Sequence, residues 1–219
     1  MKTQSLACAA CLLCGLLAAC KESPAPLTST VSGSDTAVLG NAAQHSPAAQ
    51  AIPPPPLPAD VRAQLVPSGP GTAVALWVQG GEIMASTYAS DRGWAPAQAL
   101  EQIYGDASEP QLASDGKGYA IAVWHHTVGK IHSLRFSRYE AGTGWSVPDV
   151  MPGALPRPAG QAGALQLRMD ASGQAFASWP SGFDENEVQS SRFIAGQGWS
   201  RAVSEPTAAA VRGSAPNGG

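Results

Sequence analysis

Cysteine is absent from all but the start of this chain: the four cysteines stand at positions 8, 11, 14 and 20, and none follows. A folded portion without thiols cannot form wrong disulfides in an oxidising compartment. Charge is scarce as well. Only 13% of the 219 residues are Asp, Glu, Lys or Arg, and the net charge is -3, which leaves no basic footprint for nucleic acid or an anionic membrane surface. No apolar run reaches the ~18 residues that a membrane-spanning helix requires. Glycine and proline, by contrast, are plentiful at 24 and 19 residues, a composition that suits turn-rich β structure with an unstructured segment.

The first residues carry an address. Met1-Lys2 supplies a positive start, Leu6 to Leu17 an apolar stretch, and Leu17-Ala18-Ala19-Cys20 closes it. This closure resembles the lipobox of bacterial lipoproteins. The resemblance implies that residues 1–19 are a signal peptide and that Cys20 becomes the first mature residue. Small side chains at Ala18 and Ala19 let the backbone enter the peptidase site. The Cys20 thiol takes a diacylglyceryl group, and its freed amine takes a further chain such as palmitate. Each buried methylene then holds the chain to the membrane by about 0.8 kcal/mol. Lys21, rather than Asp, resembles the outer-membrane sorting signal of enterobacteria, so a lipid-anchored place in the cell envelope, at the outer membrane, is expected. An ordinary secretory signal cleaved near Ala19 is the alternative. Cys8, Cys11 and Cys14 have a metal-like spacing, but they sit inside the apolar core of this segment, where free cysteine behaves as a small hydrophobe. No metal and no cofactor is expected.

From Cys20 to about residue 59 the chain is mostly Ala, Ser, Thr and Pro, including Pro53-Pro54-Pro55-Pro56. It has no apolar periodicity with which to fold itself, so a disordered tether with a stiff polyproline run is expected.

After it the sequence repeats. Gln64-Leu65 leads through Gly71 to Trp77 and on to Gly93-Trp94. Gln111-Leu112 leads through Gly118 to Trp124 and Gly144-Trp145. Gln166-Leu167 leads through Gly173 to Trp179 and Gly198-Trp199. Self-similarity at this period signals a repeat architecture. The copies span about 60–103, 108–151 and 163–205, and residues 206–219 read as the start of a fourth repeat or a disordered tail. Each copy divides into four short strands separated by turn residues, with Asp115-Gly116-Lys117-Gly118 the clearest turn. The second strand is apolar on both faces in the first two copies: Ala73, Ala75 and Trp77 against Val74 and Leu76, then Ala120, Ala122 and Trp124 against Ile121 and Val123. A half-solvated sheet would alternate apolar with polar. The expected fold is therefore all-β, with three four-stranded antiparallel blade-like repeats stacked face to face after the disordered tether. Propellers close with about four to eight blades, so three imply an incomplete or an oligomerising β-propeller. Either the sequence continues into further blades, or two copies of the chain join as a homo-oligomer with six.

The Gly-x-Ala-x-Ala-x-Trp and Gly-Trp pattern resembles repeats of uncharacterised exported bacterial proteins grouped with sialidase-like β-propellers. That resemblance implies architecture first. A sialidase-like glycoside hydrolase, or a fragment of one, would need clustered arginines, a Tyr–Glu pair and an acid, and the repeats offer no unique set, so no catalytic residue is assigned. Arg135 and Arg192 are placed in one column, with Thr87 in the first copy. Trp94, Trp145 and Trp199 offer flat faces for a sugar, and Arg135 and Arg192 offer forked donors. These five are the candidate ligand-binding residues, set against a simpler role in closing each blade. His125 and His126 are adjacent in a strand and point to opposite faces, so they do not share one ion. The expected function is a non-catalytic binding module, for a protein or a glycan, held at the membrane through lipid on Cys20.

Overall fold

The computed structural model of the chain describes residues 51–161 and 164–208. The signal peptide, Cys20, most of the tether and the segment 209–219 lie outside the described residues. The rest is all-β. The first sheet holds β1 (Gln64–Gly69), β2 (Thr72–Gln79), β3 (Glu82–Ala89) and an outer strand in two pieces, β4 (Gly93–Trp94) and β5 (Gln98–Ala99). The second holds β6 (Asp106–Ser114), β7 (Tyr119–Val128), β8 (Ile131–Glu140), β9 (Gly144–Trp145) and β10 (Asp149–Val150). The third holds β11 (Gln166–Met169), β12 (Ala175–Pro180), β13 (Glu187–Ile194), β14 (Gly198–Trp199) and β15 (Val203–Pro206). In each sheet both short pieces pair with the third long strand, so each is a four-stranded antiparallel sheet with an interrupted fourth strand. None closes on itself.

The interruption has a common cause. Pro96 and Pro148 fall in two of the breaks, but the third, between Trp199 and Val203, has no proline. What all three share is a serine on the third strand. Ser86, Ser137 and Ser191 are buried, and each Oγ donates to the carbonyl of the residue after the Gly-Trp tryptophan, at 2.7 Å to Ala95, Ser146 and Ser200. The backbone N–H of those same residues donates to Thr87, Arg138 and Arg192. This pin bends the fourth strand off its ladder, and it faces an alanine (Ala75, Ala122, Ala177) across the pair.

The sheets pack face to face. Val74 and Leu76 of the first sheet share a core with Ala120, Ala122 and Trp124 of the second. Ile121 and Val123 of the second share another with Ala175, Ala177 and Trp179 of the third. The strands β2 and β7 are consequently buried on both faces, whereas β12 alternates, with Phe176, Ser178 and Pro180 half-exposed. Alanine on the receiving face lets the backbone of the neighbouring sheet come close, and the one large tryptophan fills the wider end.

The second sheet has the longest strands. β6 begins at Asp106, and a bulge between Ser108 and Gln111 absorbs Glu109, whose φ is 48°, and Pro110, which has no N–H to pair. Gln64 reaches across from the first sheet to satisfy this bulge: its Nε2 donates to Pro110 O at 2.6 Å and its Oε1 accepts from Leu112 N at 2.9 Å. β7 runs on to Val128 and meets β8 through a two-residue turn at Gly129-Lys130.

Two substitutions test these devices. Ser137→Ala leaves the Ser146 carbonyl without its buried donor and is expected to cost about 1 kcal/mol, a fall of roughly 2–4 °C in Tm for a domain of this size, read by thermal unfolding. Gly105 has φ +123° and a Cβ there would sit 2.6 Å from Thr127 O. Gly105→Ala should therefore cost about 1–3 kcal/mol, seen as a lower urea midpoint.

Candidate functional site

The Gly-Trp tryptophans occupy one structural column, each against the aromatic residue opposite it. Tyr88 and Trp94 have ring centroids 5.4 Å apart, Tyr139 and Trp145 5.5 Å, Phe193 and Trp199 5.6 Å. In the second and third sheets the pair lies on the face that looks toward the preceding sheet, and Tyr88 and Trp94 lie on the equivalent face of the first. Trp199 is buried and also meets Phe136 of the second sheet, 6.0 Å away. Tyr139 and Trp145 border the core shared with the first sheet. Trp94 is half-buried and its Nε1 donates to Pro53 O at 3.0 Å. The sequence gathered these residues correctly as equivalents. The structure puts Trp145 and Trp199 between layers.

The arginines separate. Register places Arg135 opposite Trp124, but Arg192 opposite Phe176, so the two are not one column. Arg192 corresponds to Arg138 and Thr87, and Arg135 corresponds to Gln189 and Met84. Counting forward from Trp124 misaligns them because the intervening hairpins differ in length. Counting back from Gly-Trp does not: Ser86, Ser137 and Ser191 each stand eight residues before the tryptophan. That Ser-[Thr/Arg]-[Tyr/Phe] signal, followed by Gly-Trp, was available in the sequence and marks the true column.

Each arginine has its own work. Arg135 ion-pairs with Glu101 at the edge of the first sheet, both side chains largely buried at 16% and 11% exposure. In the third sheet Gln189 takes that place and accepts from Trp179 Nε1 at 2.9 Å and from Leu155 N at 2.8 Å. Arg192 is exposed on the open face of the third sheet, 5.4 Å above Phe176, with Arg168 at 4.5 Å from the same ring. Arg138 faces the second interlayer space, 5.7 Å over Phe193. Breaking the Arg135–Glu101 pair on one side leaves a buried charge. Arg135→Met is expected to cost about 3–5 kcal/mol, and adding Glu101→Gln should recover most of it in a chemical-denaturation double-mutant cycle.

Arg138 opens onto the feature of greatest chemical interest. A cleft of about 570 Å³ runs along the ends of the second and third sheets, lined by Lys117, Tyr119, Arg138, Glu140 and Trp145 on one side and Met169, Ser172 and Phe193 on the other. Its mouth is fixed by turns. Asp115 Oδ1 accepts from Lys117 N and Tyr119 N, and Asp170 Oδ1 accepts from Ser172 N and Gln174 N. Lys117 Nζ then donates to Ala171 O at 2.7 Å, tying one turn to the other. A larger cavity, about 700 Å³, lies at the inner strands between Gln64 and Gln111. It has no aromatic wall, so the cleft is the better site for a ligand with apolar faces.

Two polar side chains meet at the cleft. Tyr119 OH donates to Glu140 Oε1 at 3.2 Å, and that bond, with the Glu140 charge, raises the phenol above its ordinary 10.0. Among the described residues no three His, Cys, Asp or Glu side chains come together as a metal site would need.

His125 and His126 are both buried, on opposite faces of β7. Burial lowers the His125 pKa below its ordinary 6.5, outweighing the opposing Glu109 carboxylate 3.7 Å from Nε2 and reinforced by His132. The folded state therefore resists a proton that the unfolded chain accepts. Stability should be full above the unfolded pKa of about 6.5 and fall as pH drops below it toward the folded value. His125→Gln should flatten that acid-side decline in unfolding free energy measured between neutral and mildly acidic pH.

No family model matches the chain, and no curated protein matches it. Among solved structures, a chain described as Hadza microbial sialidase Hz136 is similar at 16% identity and a TM-score of 0.43, over 64% of this chain and 37% of that one. The chain thus spans little more than a third of that protein's length.

Proposed function

We propose that this chain is a non-catalytic binding module, anchored to the cell envelope by lipid on Cys20, that captures a glycan in the cleft between its second and third sheets. The cleft itself carries the reading. Its walls pair aromatic and aliphatic surface (Phe193, Met169) with donors and acceptors at the rim (Tyr119, Arg138, Glu140, Ser172), the mixture that fits a sugar's apolar faces and equatorial hydroxyls. Both sides of the site come from rigid strands or from turns locked by Asp115 and Asp170, so little ordering entropy opposes binding.

A glycan array probed with the detergent-extracted full chain should give discrete signals. Tyr119→Phe removes one hydroxyl at a half-exposed position without disturbing a core, and should weaken the strongest signal roughly tenfold, the worth of one hydrogen bond at the upper end. Arg138→Ala should weaken it further, whereas Arg192→Ala, on the far face of the third sheet, should leave it unchanged. An array without signal from folded protein, or equal loss from Arg192→Ala, rejects the glycan reading. The anchor is tested separately: mass spectrometry of the envelope fraction should find a triacylated amino-terminal Cys20, lost in Cys20→Ser.

A further inference from the structure

We propose that the second sheet binds one structural water molecule beside Trp124 and His126, in the place that a glutamine side chain takes in the other two sheets. Trp77, Trp124 and Trp179 are equivalent, each following the two alanines of its second strand, and all three are buried. A buried indole N–H calls for an acceptor, since hydrogen-bonding groups taken out of water are nearly always matched. The first and third sheets supply one. Trp77 Nε1 donates to Gln79 Oε1 at 3.2 Å, two residues along the same strand. Trp179 Nε1 donates to Gln189 Oε1 at 2.9 Å, from the facing position on the next strand.

The second sheet has neither glutamine. His126 follows Trp124 by two residues, where Gln79 follows Trp77. Arg135 faces Trp124 across the pair, where Gln189 faces Trp179. A guanidinium has donors and no acceptor, and Arg135 is already paired with Glu101. Trp124 is 0% and His126 7% exposed. Trp124 Nε1 and His126 Nε2 are both buried without a hydrogen-bond partner among the described residues. Two residues apart on β7, they lie on the same face of the sheet.

Both side chains line one small cavity, bordered also by Glu101 and Gly105. It leaves about 10 Å³ for the centre of a water-sized sphere, the size at which a cavity holds a single water. Gly105 keeps room beside the imidazole, because a Cβ there would come within 2.7 Å of His126 Nε2. The polar groups around the cavity select what fits. An anion would face the Glu101 carboxylate, and a cation would face the Trp124 N–H. Water meets all three groups: it accepts from Trp124 Nε1, donates to Glu101, and either donates to His126 Nε2 or accepts from it according to the tautomer. Three partners is the usual number for a buried water. The molecule ties β7 to the connection between the first and second sheets, which carries Glu101 and Gly105.

The test is nuclear magnetic resonance on the full chain in detergent, with the Trp124 indole proton assigned by its disappearance in Trp124→Phe. In the unaltered chain that proton should show a cross-peak to water with the sign of a molecule held longer than the protein tumbles. The indole protons of Trp77 and Trp179, bonded to glutamine, should show none. His126→Gln restores the acceptor found after Trp77, so the Trp124 cross-peak should be lost while its indole resonance remains. No water cross-peak at Trp124 in the unaltered chain overturns the site, as do equal cross-peaks at all three tryptophans. A cross-peak that persists in a folded His126→Gln variant overturns the equivalence with glutamine. If that variant does not fold, a high-resolution crystal structure of the unaltered chain decides: density within hydrogen-bonding distance of both Trp124 Nε1 and His126 Nε2 is expected, and its absence rejects the proposal.

Discussion

Everything in this chain depends on sheets that cannot be left with a bare face. A four-stranded sheet apolar on both sides gains stability only when each side is covered, because its exposed apolar area would otherwise stay in water. The receiving face solves the close approach with two alanines and one tryptophan. The opposite face supplies branched aliphatic side chains that fit between them. Lateral fixing comes from polar groups that cross the layers: Gln64 onto the bulge of β6, Arg135 onto Glu101, and Lys117 onto Ala171.

The middle sheet satisfies this constraint from both sides, and the outer two do not. On the first sheet, Trp94 Nε1 donates to the Pro53 carbonyl. The third has polar and charged substitutions where the aliphatic residues would be, with two arginines over Phe176. The same hydrophobic demand thus receives two answers among the described sheets: a neighbouring sheet, and a face made tolerable to water. The glycan cleft belongs to this geometry as well. It forms where two stacked sheets splay at their turn ends, so that residues close in space come from different repeats.

Much of the fold was legible because the signals were local. Gly-Trp, the Asp-Gly turns and the apolar second strand each lie within a few residues, and they placed the sheets and their stacking. The column of Arg135 and Arg192 was not recoverable by counting forward from the strand-two tryptophan, since the count passes through hairpins of unequal length. The cleft was hidden for another reason: Tyr119, Arg138 and Glu140 meet Met169, Ser172 and Phe193 only after stacking, and no spacing within one repeat encodes that. The proline run was read by composition as unable to fold. It has no core of its own, but residues 51–59 acquire a place because Trp94 offers one.

The hairpin of the second sheet carries a lesson about how such a chain can change. In the first sheet two residues of each strand separate the Trp77 level from the turn, and in the second sheet four separate the Trp124 level from it. The difference is two residues per strand, one full pleat, which preserves the side on which every following residue points. An insertion of a single residue would reverse that orientation or be forced out as a bulge. Growth in whole pleats, at the end of the hairpin farthest from the serine pin, lets a duplicated repeat lengthen and acquire new surface while its inherited contacts stay in register.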